Sequence, residues 1–73
     1  MQHIDLAANI RAELARNSKS QGDLAELLGI TRQGVSQRLL GRVDFRLGEL
    51  RTISEFLGVT VGELVDGANK ASA

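Results

Sequence analysis

Apolar residues recur at spacings of three and four along most of the chain, the period of helices that each bury one stripe. The first run predicts a helix from about Asp5 to Asn17, with Ala7, Ile10 and Leu14 on one side and Arg11, Glu13 and Arg16 elsewhere. A second helix follows Ser20, whose hydroxyl suits an N-cap, with Asp23 in its first turn facing the free amides. It carries Leu24, Ala25 and Leu28 and closes at Gly29. Ile30 then plugs the corner, and Thr31 caps a third helix over Arg32 to Leu40, with Val35 and Leu39 on its apolar stripe. After Gly41 a loop through Val43 and Phe45 leads to a fourth helix bearing Leu47, Leu50, Ile53, Phe56 and Leu57, which Gly58 stops. Thr60 and Glu63 form a capping box for a last helix over Val61 to Asp66. Pro is absent, so the helix ends fall to glycine, and Gly29, Gly41, Gly58 and Gly67 each follow an apolar-periodic stretch. No strand-type alternation or internal repeat is present, so the expectation is an all-α domain over residues 1–66 and a disordered tail, 67–73, without an apolar anchor.

A chain of 73 residues with 42% apolar content has material for a single core. Cys is absent and His3 is the only histidine, which excludes disulfide scaffolds, zinc fingers and thiol nucleophiles and leaves no metal site to expect. No apolar run approaches the ~18 residues of a membrane span, and charge interrupts the N-terminal stretch too often for a signal peptide. A cytoplasmic protein with no membrane partner is expected. Glu13, Glu26, Glu49 and Glu55 occupy ordinary helix-surface positions, and short helices leave little volume for a pocket. We therefore expect no enzyme, no cofactor and no small-molecule ligand. Phe45 and Phe56 are the only aromatic residues, too few for the stacking platforms of single-strand binders.

Nine basic residues against nine acidic ones argue against a nonspecific polycation. The charge is unevenly placed, however. Residues 32–46 hold Arg32, Arg38, Arg42 and Arg46 against Asp44 alone, a balance of +3, while 1–31 and 47–73 stand at −1 and −2. By itself such a centre fits a solvated surface as well as a binding patch.

The side-chain phase of the third helix separates these readings. Two short helices joined by a tight glycine-containing turn make a helix-turn-helix candidate from Ser20 to Gly41. At about 100° per residue, Arg32, Gln33, Ser36 and Gln37 share an arc of about 140°, away from Val35 and Leu39. A guanidinium, two carboxamides and a hydroxyl on one face suit base edges in a major groove: Arg offers two parallel hydrogen bonds to guanine, and Gln does the same for adenine. Arg32 and Gln33, nearest the helix start, should reach deepest. Gln21 at the start of the second helix, Thr31 at the cap, and Arg42 and Arg46 beyond the third helix are the candidate phosphate contacts. Arg46 falls at a cap or first-turn position, where a cation opposes the helix dipole and a nearby anion would relieve it; a solvated arginine is the other reading. Arg38 projects away from the reading face and is expected to form an intramolecular ion pair. Gly34 permits close approach to a neighbour or to DNA, or is simply a tolerated helix glycine.

The ordered series Ser20-Gln21, Leu24-Ala25, Leu28-Gly29, Val35-Ser36, Gly41, Leu57-Gly58-Val59 and Glu63-Leu64 resembles the helix-turn-helix domain of the Cro and lambda-repressor superfamily, the XRE family. The likeness covers roughly residues 10 to 66. It implies a compact five-helix lambda-repressor-like bundle that binds a pseudo-palindromic double-stranded DNA operator as a homodimer and represses or switches transcription. By position, Arg32, Gln33, Ser36 and Gln37 match family sites that often touch bases, and Gln21 a common phosphate contact. Two positions depart from the pattern: Lys19 stands where an apolar residue is common, and Leu40 falls on the polar side of the third helix. Leu40 either packs under the Val43–Phe45 loop, the preferred reading, or touches a thymine methyl; Phe45 is read as a core plug. Val59, Val61 and Val65 are candidates for a small dimer surface, with association weak off DNA and completed on adjacent half-sites; the other reading is that all three are buried in the core. The compactness suggests a phage or mobile-element regulator. The alternative reading is an antitoxin or protein-interaction module on the same fold, although a tail of seven residues is short for a toxin-binding segment.

Overall fold

The computed structural model describes residues 6–66. It contains α1 (Leu6–Arg16), α2 (Gln21–Leu28), α3 (Arg32–Leu39), α4 (Leu47–Leu57) and α5 (Val61–Asp66), with no strand among the described residues. The proposed start at Asp5, the glycine at Gly67 and the tail 67–73 lie outside them. Helix ends elsewhere agree with the sequence reading to within one residue: α1 stops at Arg16 rather than Asn17, and α3 at Leu39, with Leu40 as its C-cap.

Local chemistry sets each boundary. Ser20 Oγ accepts the Asp23 amide at 3.1 Å while the Asp23 carboxylate accepts the Ser20 amide at 2.8 Å, closing the start of α2. Thr60 and Glu63 repeat the arrangement at α5, at 2.8 and 3.0 Å. Gly29, Gly41 and Gly58 all take positive φ past their helices, where a side chain would be strained. The turn between α2 and α3 is tightened by the Ile30 amide donating to the Ala25 carbonyl at 3.0 Å.

The stripes converge on one core of Ile10, Leu14, Leu24, Ala25, Val35, Leu39, Ile53, Leu57 and Leu64. Each large side chain removed from water there contributes roughly 1.5–3 kcal/mol, which offsets the ordering entropy of short helices that would not persist alone. α2 packs on α3 and α4, while α5 packs on α1 and α4. Asn9 adds a polar tie, its Nδ2 donating to the Leu64 carbonyl at 2.7 Å across the α1–α5 contact. Glu13 is buried beside the core and pairs with Arg16 at 2.6 Å, so its charge has a partner. Phe45 packs half-buried against the core, as expected of a plug.

Two apolar expectations fail. Leu40 is 55% exposed and does not pack under the following loop. Its backbone stays right-handed (φ −85°, ψ −2°), so it continues the phase of α3 and is carried away from the Val35–Leu39 stripe. Leu47 is 59% exposed. It lies roughly 100° around α4 from the direction shared by Ile53 and Leu57, at the margin of the buried arc. Among the described residues, no helix is long and apolar enough to cross a membrane.

Candidate nucleic-acid interface

α3 is anchored from within and free on its other side. Val35 and Leu39 are buried, whereas Arg32 and Gln33 are exposed and Ser36 and Gln37, one turn later, are half-buried. Its start is fixed by Thr31, whose Oγ1 accepts the Gly34 amide at 2.9 Å and still has its hydroxyl proton to donate outward. Its end is fixed by the Gln37 carbonyl, which accepts the Arg42 amide at 2.9 Å as Gly41 turns left-handed. Arg42 is thereby placed just past the helix, exposed. Gly34 is half-buried, and a methyl there would meet Ile30 and Thr31 at 3.4 Å. It fits closely against its own turn.

Gln21 is exposed as the first residue of α2, beside Gly22, over which Arg32 folds its guanidinium. Arg32 thereby lies against the first turn of α2, at the junction of the two helices. Asp23 sits nearby, its carboxyl held below the ordinary value by the Ser20 amide, then by the Ser20 hydroxyl, with Lys19 and Arg32 adding attraction. The carboxylate therefore stays charged beside Arg32 and keeps that corner from being uniformly basic.

Arg38 does not join the exposed set. Its Nε and Nη2 donate to the two oxygens of Glu49 at 3.1 and 3.2 Å, and Nη1 donates to the Gly34 carbonyl at 3.1 Å. The ion pair expected from its phase is present, and it binds α3 to the first turn of α4. The arginines left exposed around α3 are Arg32, Arg42 and Arg46, flanking the glutamines on both sides. Arg46 is the N-cap of α4 and makes no side-chain cap hydrogen bond, since a guanidinium has no acceptor to offer. Its backbone is satisfied, the amide donating to Glu49 at 3.0 Å and the carbonyl accepting the Leu50 amide at 3.0 Å.

The eight candidate contacts thus fall on α3 and the segments immediately around it: Arg32, Gln33, Ser36 and Gln37 on the helix, with Thr31, Gln21, Arg42 and Arg46 about it. Sequence reasoning did not find the part played by Gly22, because nothing local to the first turn of α2 announces a side chain arriving from α3. A surface of this kind can offer forked and paired hydrogen bonds together with positive charge, the combination needed to read base edges and hold phosphates. A family model, helix-turn-helix, matches residues 10–64. No curated protein and no solved structure matches the chain.

Proposed function

Because the chain belongs to the XRE-type helix-turn-helix family of DNA-binding transcription regulators, we propose that it is a repressor that occupies a pseudo-palindromic operator as a homodimer. In this reading α3 lies in the major groove. Arg32 and Gln33 read the first base pairs, and Ser36 and Gln37 those one turn further along the helix. Gln21, Thr31, Arg42 and Arg46 hold phosphates on either side and set the register. The observation that carries the proposal is the division of α3 itself: Val35 is wholly buried while Arg32 and Gln33, three and two positions before it, stand in solvent.

The homodimer draws on the region around α5. Val61 and Val65 are half-buried there, while Val59 also packs on the core and has less to offer a partner. So little apolar surface falls short of the ~800 Å² per partner of a standard interface, which favours assembly on two half-sites about one helical turn apart. The place of action is the cytoplasm, with the DNA.

The test is selection of duplex sequences by the purified protein, followed by footprinting at several salt concentrations. Arg32→Ala and Gln33→Ala should each cost roughly 1–3 kcal/mol on the selected site and blur discrimination at particular base pairs. Unchanged sequence preference in both variants would remove α3 from the reading role.

A further inference from the structure

We propose that Gly22 is a specificity-determining position: by lacking a side chain it seats the Arg32 guanidinium and sets the direction from which that arginine meets its base pair. The inference rests on the reading of Arg32 as a base contact. A methyl group at Gly22 would stand 2.6 Å from Arg32 Nη2, 2.9 Å from Nε and 3.1 Å from Cζ. Non-bonded atoms do not approach so closely, so the present position of the guanidinium exists only with glycine beneath it. No other glycine among the described residues shows this. Gly48 has open space around it, Gly62 has only Thr60 Oγ1 at 3.8 Å, and Gly34 meets its neighbours at 3.4 Å.

The backbone gives no independent reason for glycine here. Gly22 lies within α2 and is absent from the positive-φ positions, so alanine would suit the helix better. What an added methyl would displace is the far end of a long, flexible side chain, and that end can move without disturbing the core. A substitution at Gly22 therefore acts on where Arg32 points and leaves the fold intact. The seat also places the guanidinium near Asp23, whose charge attracts it. That attraction favours this resting place, and to the extent that it matches the direction of base contact, less conformational freedom is lost on binding.

Gly22→Ala tests this in the full chain by measuring affinity and base-pair discrimination on the selected duplex and on random duplex. The expected result is about 2–10-fold weaker binding to the selected site, with discrimination lost chiefly at the pair read by Arg32. Binding to random duplex stays unchanged, and the thermal midpoint is equal or higher. In an Arg32→Ala background the same substitution should change nothing, an outcome a merely structural role would not produce. An unaltered discrimination profile, tighter specific binding, or the same loss in the Arg32→Ala background overturns the proposal. A wild type with no sequence preference would instead sink the reading on which it rests, and this inference with it.

Discussion

Glu49 grips Arg38 with both carboxylate oxygens, at 3.1 and 3.2 Å, and the oxygen that takes Arg38 Nε also accepts the Arg46 backbone amide at 3.0 Å. One side chain on α4 therefore fixes the outer side of α3 and starts its own helix. Both partners are largely shielded, with side chains 15% and 18% exposed, so the pair is less screened than a surface bridge. Glu49→Gln keeps an acceptor for the Arg46 amide but removes the charge opposite Arg38. A loss of roughly 1.5–3 kcal/mol is expected. Urea unfolding should show a lower midpoint at an unchanged slope.

The same carboxylate gives the protein an acid limb. The Arg38 hydrogen bonds hold the Glu49 carboxyl below its ordinary value of 4.5, against the opposing effect of burial, with the Arg46 amide also favouring the charged form. A depressed folded pKa means that the unfolded chain takes up the proton first. Its stabilisation is therefore complete above the ordinary value and lost as pH falls through the lowered one. Unfolding midpoints measured from neutral pH into acid should fall for the wild type, and Glu49→Gln should remove part of that fall. Asp23, lowered by its capping bonds to Ser20, contributes a fall of the same sign that persists in the variant.

Ser18 is the one non-glycine described residue with positive φ, at 57°, and it stands where α1 ends. The Lys19 amide reaches back to the Leu14 carbonyl at 2.8 Å, so the left-handed turn is required by the closing hydrogen bonds. A serine side chain is strained there, and Ser18→Gly removes that strain at the cost of a more flexible unfolded chain. The balance should favour the variant by about 0.5–1 kcal/mol, raising the thermal midpoint by several degrees. A lower midpoint would show that the strain at Ser18 is smaller than the entropy cost of the freer unfolded chain.

What was legible in the sequence was whatever neighbouring residues decide among themselves. The Ser20 cap with Asp23 in its first turn, the box at Thr60–Glu63, the cap at Thr31 and the stops at Gly29, Gly41 and Gly58 lie within a few positions of the ends they define, and these are present. The partner-seeking direction of Arg38 followed from helix phase, although phase could not name Glu49. Phase served less well at helix ends: Leu40 and Leu47 carry the right chemistry for a core and sit too far round their helices to reach it. Contacts between distant segments left no local trace. Lys19, out of place in a position that often holds an apolar residue, sets its ammonium over the Phe56 ring at 5.2 Å, and its stem and charge both find use. The Asn9–Leu64 bond and the Arg32 seat on Gly22 are of the same nonlocal kind.

Arg46 costs the fold stability, which its proposed role as a phosphate contact would explain. As the N-cap of α4 (φ −82°, ψ 155°) it offers no acceptor to the first-turn amides and places a cation at the positive end of the helix. Arg46→Ser supplies the missing hydroxyl opposite Glu49, already bonded to the cap amide, and removes the opposed charge. The fold should gain about 1 kcal/mol, seen as a higher thermal midpoint. If the guanidinium holds a phosphate, the same variant should bind every duplex more weakly by a similar factor, and the slope of log affinity against log salt should become shallower by about one. Arg42→Ala, in the connection and without a side-chain cap to gain, should show the same flattening without the gain in stability. A stabilised Arg46→Ser protein that retains wild-type affinity and salt dependence would leave Arg46 a solvated side chain and confine the phosphate grip to Gln21, Thr31 and Arg42.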